Sequence, residues 1–255
     1  MKAVVRYSIF SFLVLLFAAG TGVGLWAVRD RSEKRACCGI EVTILDPESR
    51  FVSKEDVTGW IIGECGTPVG LIADSLNLAK MERVLDSKSA ILCSQAWTTP
   101  DGILNISVSQ RKPAVRFLKG SGGFYADRTC YLFPLHPTYT APVMTVAGAL
   151  PVKADSGFKG EAGSVQEKEW IEQVVRMSDE IEASQWAGKI DSVHVSADRR
   201  LSFSVESGEK VLFGPVGNTT DKLHRLSTYF EKIKNGETQY TSVNLEFDGQ
   251  IICRQ

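Results

Sequence analysis

Three histidines and six cysteines, with a few close acidic pairs, are the side chains through which this chain could do chemistry. Histidine serves as a general base or a metal ligand, but His136 sits between Leu135 and Pro137, His194 in an expected strand and His224 in an expected helix. No shared motif joins them. The cysteines, at positions 37, 38, 65, 93, 130 and 253, contain no C-x-x-C pair, so their spacing argues against a zinc site. Glu167 with Glu169 and the pair Asp179-Glu180 fall on the polar side of an expected helix, where a solvated face explains them better than acid–base work. No P-loop, no G-x-S-x-G elbow, no H-E-x-x-H and no dinucleotide-binding glycine motif occurs. The sequence therefore predicts no catalytic residue, no metal, no cofactor and no small-molecule substrate. Asn218-Thr219-Thr220 fits a glycosylation acceptor, a motif too short to carry weight alone.

What the chain does contain is a membrane signal. Residues 8–28 include no Asp, Glu, Lys, Arg or His. At about 1.5 Å of rise per residue such a helix is about 31 Å long, enough to cross a bilayer core once. A cleavable signal peptide is the alternative, because Lys2 and Arg6 precede the apolar core and Ala18, Ala19 and Gly20 follow it. The apolar run continues through Val23, Leu25, Trp26 and Val28, longer than a signal core needs. Lys2 and Arg6 on one side face Arg29, Arg31, Lys34 and Arg35 on the other, so charge does not set the orientation. A formal net charge of -1 removes any case for bulk nucleic-acid binding. An anchor followed by several cysteines mildly favours an exported, oxidising location.

The remainder divides naturally into two small domains after a linker at 29–36. Ile40-Glu41-Val42-Thr43-Ile44-Leu45 alternates as a half-buried strand. Ser53 and Asp56 have capping-box spacing, and Val57, Trp60 and Ile61 line a short helix. A second helix starts near Asn77 with Leu78, Met81 and Leu85 on one face. Residues 91–97 and the alternation of Leu104, Ile106 and Val108 give two more strands around the turn Pro100-Asp101-Gly102. Cys37 and Cys38 are adjacent, so in a strand their side chains point to opposite faces and at most one joins the core. One of them could bridge to Cys93 if the first two strands are neighbours, while small buried thiols are the alternative. Beyond residue 112 the alternation of Val115 with Phe117, of Leu201, Phe203 and Val205, and the run Val211-Leu212-Phe213 after Ser207-Gly208 read as antiparallel sheet. Two helical stripes interrupt it: Ile171, Val174, Val175, Ser178 and Ile181, then Leu223, Leu226, Phe230 and Ile233. Residues 152–163 read as an exposed, glycine-rich loop.

The order strand, helix, helix, strand, strand beside a single anchor resembles a POTRA domain. Gln110-Arg111-Lys112-Pro113-Ala114-Val115-Arg116 then resembles the basic junction that follows POTRA in the FtsQ/DivIB cell-division family. Phe124-Tyr125-Ala126-Asp127 followed by Leu132-Phe133-Pro134 is similar to another segment of that family, although Arg128-Thr129-Cys130 stands where a glycine usually follows the aspartate. Tyr240 to Ile252 resembles its closing strand pair. The resemblance implies an α+β chain: a cytoplasmic tail at 1–7, a transmembrane helix at 8–28, a linker at 29–36, a POTRA-like βααββ domain at 37–111, and a mostly antiparallel β domain with two helices at 112–255. It also implies a non-enzymatic division scaffold, single-pass in the bacterial inner membrane, with its bulk in the periplasm and concentrated at the division site.

In that family the closing region receives a segment of the small partner FtsB, itself paired with FtsL. By match to that pattern, Phe247, Gly249, Gln250 and Ile251 are the candidate partner-binding residues. The bland alternative is that Phe247 and Ile251 fill the core and Asp248-Gly249 is only a turn. The family's longer tails are not matched here, which puts contacts beyond the strand in doubt. Two other readings stay open at this point: an anchored POTRA protein of polypeptide export or envelope assembly, and, more weakly, an anchored envelope hydrolase.

Overall fold

Alternating β-branched residues make β1 (Gly39–Ile44), which pairs in parallel with β3 (Ile103–Gln110) in the register Ile40↔Leu104 and Val42↔Ile106. Parallel neighbours cannot be joined by a hairpin. The intervening chain supplies α1 (Lys54–Cys65), a 3-10 turn at Ala73–Ser75, α2 (Leu78–Asp86) and β2 (Ile91–Thr98), giving a sheet ordered β1-β3-β2. In this computed structural model the described residues are 17, 19–21, 35–205, 208–234 and 240–255. The expected anchor at 8–28 lies outside them except for residues 17 and 19–21, which are helical, and so do residues 29–34 of the linker and Ser207 of the expected turn. Among the described residues no helix is long and apolar enough to cross a membrane.

Local chemistry sets both helix starts in this first unit. Ser53 Oγ accepts from the Asp56 amide at 3.1 Å and Asp56 Oδ2 accepts from the Ser53 amide at 3.0 Å, a closed capping box. Asn77 Oδ1 accepts from the Lys80 amide at 3.0 Å, and caps of this kind contribute about 1 kcal/mol. Val57, Ile61, Met81 and Leu85 are buried on the helices, as are Val42, Leu104, Ile106 and Val108 on the sheet. Cys37 is buried and Cys38 exposed, yet β3 lies between β1 and β2, so the neighbouring strands that a bridge to Cys93 required do not exist. All six cysteines are free thiols.

The second unit comprises residues 47–51 and 110–255. Its strands are β4 (Pro113–Lys119), β5 (Gly122–Asp127), β6 (Leu132–Pro134), β7 (Met144–Gly148), β8 (Ser192–Val195), β9 (Leu201–Ser204), β10 (Lys210–Gly214), β11 (Ser242–Asn244) and β12 (Ile252–Arg254). They form one sheet in the order β12-β11-β10-β9-β8-β7-β4-β5-β6. It is more mixed than strand alternation suggested: β4 with β7, β7 with β8 and β10 with β11 are parallel, and the other pairs antiparallel. Two of the parallel steps use helices as crossovers, α3 (Val165–Glu182) between β7 and β8, and α4 (Thr219–Thr228) between β10 and β11. The helix α4 runs on as a π-helical turn at Tyr229–Ile233. Both apolar stripes expected from the sequence face the core, with Ile171, Val174, Ile181, Leu223 and Leu226 buried.

Two details shape this unit. Phe51 stands edge-on to Tyr139 at 5.0 Å, to Tyr125 at 5.4 Å and to Phe133 at 5.7 Å, and its amide donates to Gln110 Oε1 at 3.0 Å. A segment that precedes α1 in the chain is thus core material of the later unit. Between β5 and β6, Asp127 Oδ1 accepts from the amides of Thr129 at 2.9 Å and Tyr131 at 3.1 Å, while its Oδ2 takes Arg111 Nη1 at 2.8 Å. Arg111 also lies 3.7 Å over the Tyr131 ring. These bonds hold Cys130 at φ +62, a left-handed position that glycine would occupy without strain. The 152–163 loop is more tethered than expected: Val152 and Ala154 are buried, and Lys119 Nζ donates to the Val152, Lys153 and Ala154 carbonyls. Phe117 is fully buried between Phe124 and Trp170, joining sheet to α3. Phe117→Ala is expected to cost about 3–5 kcal/mol, read from denaturant unfolding of the soluble part.

Candidate functional site

Among the described residues the sheet ends on β12, which pairs there only with β11, in the antiparallel register Ser242↔Arg254, Val243↔Cys253 and Asn244↔Ile252. Inward residues Val211, Val243 and Cys253 lie in one row across β10, β11 and β12, while Ile252 and Arg254 are exposed. Burial pushes the Cys253 thiol above the usual range. Between the two closing strands, Leu245 is fully buried and its amide donates to the Leu212 carbonyl at 2.9 Å, extending the parallel pairing with β10 by one step. Glu246 then crosses so close to Gly214 that a Cβ there would meet Glu246 Cγ at 2.8 Å. Gly214, at φ +77, is the residue that admits the approach.

The structure places Phe247, Gly249, Gln250 and Ile251 together, in the turn that leads into β12 rather than within the strand. The Gln250 amide donates to the Phe247 carbonyl at 3.2 Å, with Gly249 at φ +67 in the third position of the turn. Phe247 is 51 % exposed, Gly249 and Gln250 are exposed, and Ile251 is half-buried against the core. Phe247 therefore does not fill the core, whereas Ile251 partly does.

A residue that periodicity did not single out holds this turn. Arg225, buried on α4, donates from Nη1 to the Phe247 carbonyl at 2.8 Å and the Gln250 carbonyl at 2.6 Å, and from Nε to Asp221 Oδ2 at 2.8 Å. Its Nη2 is buried without a partner among the described residues. One turn earlier Lys222 donates to the Pro215 carbonyl at 2.7 Å and lies 4.5 Å over the Phe213 ring. Burial first, then Arg225, lowers the Lys222 pKa, with Asp248 and Asp221 opposing. The signal available in the sequence was the i,i+4 pair Asp221/Arg225, which is ordinarily solvated.

Nothing comparable surrounds the titratable candidates. His136 lies beside Phe51 with its Nδ1 at the Thr138 amide, whereas His194 on β8 and His224 on α4 are exposed. The described residues include no group of His, Cys, Asp or Glu suited to a metal ion. A hollow of about 400 Å³ between α3 and the start of α4 is lined by Arg176, Glu180, Asn218 and Thr220, with Thr220 Oγ1 bonded to Glu180 Oε2 at 3.0 Å.

A family model described as FtsQ/DivIB, C-terminal related matches residues 112–254, more than half of the chain. The chain belongs to the FtsQ/DivIB family. A POTRA-like domain model matches residues 35–109, so the α+β organisation is that of a POTRA-like domain followed by the β-rich FtsQ/DivIB C-terminal domain. The FtsQ/DivIB assignment is to a cell-division scaffold family of a non-enzymatic type, with division proteins as partners. No curated protein matches the chain.

The clamp at the FtsQ/DivIB closing turn generates a test. Arg225→Met keeps an unbranched side chain but removes the donors to Phe247 and Gln250 and leaves Asp221 unpaired. Hydrogen exchange at the Gln250 amide should accelerate strongly, with global stability falling by about 1.5–3 kcal/mol.

Proposed function

We propose that this chain is a non-enzymatic scaffold of the bacterial division machinery that is held in the inner membrane by residues 8–28. Its bulk lies in the periplasm and it gathers at the division site. Its partners are FtsB-like and FtsL-like proteins, and an FtsB-like segment adds as a strand along β12. One observation carries this reading: the sheet stops at β12 with no strand beyond it among the described residues, and the exposed Phe247 and Ile252 flank that edge.

The physics of strand addition fits such an edge. An edge strand presents unpaired main-chain amides and carbonyls, which give affinity, and its side chains select the partner. Because β12 is only 3 residues long, main-chain bonding is limited. Much of the affinity then falls to side chains such as Phe247. The clamp by Arg225 supports the reading further, since an edge held in one conformation loses little entropy when a partner docks.

Two measurements test this. Deleting residues 252–255 from the full chain should abolish binding of an FtsB-like peptide while thermal unfolding stays cooperative, and Phe247→Ala should weaken it about 30-fold, or about 2 kcal/mol. Undiminished binding by a folded deletion variant would move the interface away from β12. For topology, protease added to spheroplasts should digest residues beyond the linker and leave a membrane-retained amino-terminal fragment, whereas complete protection would reverse the orientation.

A further inference from the structure

The exposed apolar side chains of the POTRA-like unit are distributed unevenly between its two ends. β1 and β3 run parallel, and the turn between β2 and β3 is closed by the Thr99 amide donating to the Ile103 carbonyl at 3.0 Å. One end therefore carries residues 35–38, the 99–102 turn and Trp97. The other carries Leu45 and Leu92, about 15–20 Å away along the strands. At the first end the 69–73 segment is stitched to the incoming chain: Cys37 N–H donates to Leu71 O at 2.7 Å, Gly70 N–H to Cys37 O at 2.8 Å and Ala73 N–H to Arg35 O at 2.9 Å. Those bonds hold Val69, Leu71 and Ile72 outward, 47, 51 and 48 % exposed, and Trp97 is 44 % exposed. Burying none of them costs the unit a hydrophobic contribution that a second apolar phase would restore.

We propose that this end of the POTRA-like unit is a lipid-contact surface, in which Val69, Leu71, Ile72 and Trp97 enter the boundary between headgroups and acyl chains. The proposal rests on the reading of residues 8–28 as a membrane anchor. From residue 28 to residue 35 the chain spans at most about 25 Å, so the patch cannot lie far from the bilayer through which the anchor passes. Along that stretch Arg29, Arg31, Lys34 and Arg35 outnumber Asp30 and Glu33, which draws the segment toward anionic headgroups and shortens the separation. Tryptophan with aliphatic neighbours is the composition that settles at such a boundary. The carboxylates at this end, Asp74 and Asp101, are both exposed and remain free to face water.

The surface is tested by photo-crosslinking the full-length chain, reconstituted in vesicles of phosphatidylethanolamine and phosphatidylglycerol. The residue p-benzoylphenylalanine is placed singly at Phe17, Leu45, Leu71 or Leu92, the latter three all at least half exposed. Lipid adducts are expected at Phe17 and Leu71, and several-fold less at Leu45 and Leu92. With the probe at Leu71, adding Ile72→Glu should cut the adduct several-fold without changing the circular dichroism. An adduct at Phe17 with none at Leu71 overturns the surface and leaves the anchor standing. Absence at Phe17 overturns both. Equal adducts at Leu45, Leu71 and Leu92, an adduct from Leu71 to protein instead of lipid, or an Ile72→Glu variant that labels undiminished, each overturns the lipid assignment.

Discussion

The parallel pairing of β10 with β11 is the constraint from which the carboxyl-terminal edge follows. Two parallel strands need a crossover between them, and the chain supplies α4 and its π-helical continuation for that purpose. The crossover lays α4 over the last strands, with Leu223 and Leu226 in the core and Arg225 directed at the carbonyls of the 247–250 turn. Had β11 followed β10 as a hairpin, no helix would stand there, and the turn would have only its own Gln250 to Phe247 bond. The geometry of the edge is thus set by an element that ends well before it in the chain.

Buried guanidinium groups are costly to desolvate, and Arg225 offsets that cost through two carbonyls and one carboxylate instead of a single ion pair. Asp127 at the other end of the sheet works by the same logic, gathering Arg111 and two amides around one carboxylate. In both places a charged side chain organises a turn; the 247–250 turn has Gly249 at its left-handed position, whereas the turn after Asp127 has no glycine. Cys130 holds a left-handed conformation there because three bonds to Asp127 fix the backbone on either side.

What was legible in the sequence was local. Ser53 with Asp56, Asn77, and the stripes of Ile171, Val174 and Ile181 announce themselves because caps and helical faces involve residues three or four apart. Strand neighbours are a different matter, since β4 must choose between β5 and distant β7 and in fact takes both. Nothing in the spacing tells that Phe51 belongs with Tyr125 and Phe133, or that β3 separates Cys37 from Cys93. The candidate residues at 247–251 come from a resemblance to a closing strand pair, whereas the structure closes 247–250 into a turn through the Gln250 amide and holds it through Arg225, whose place in the sequence shows only an i,i+4 pair with Asp221.

From β7 onward the sheet adds strands in the order in which they occur in the chain, and β12 is the outermost of the described strands. A polypeptide leaving a ribosome or a translocon from its amino-terminal side cannot form this edge until every earlier strand has emerged and paired. A chain arrested or clipped before residue 252 lacks β12, however well its earlier strands fold. Any contact made along β12 is consequently available only on molecules whose synthesis has passed residue 254, which makes that edge a readout of chain length.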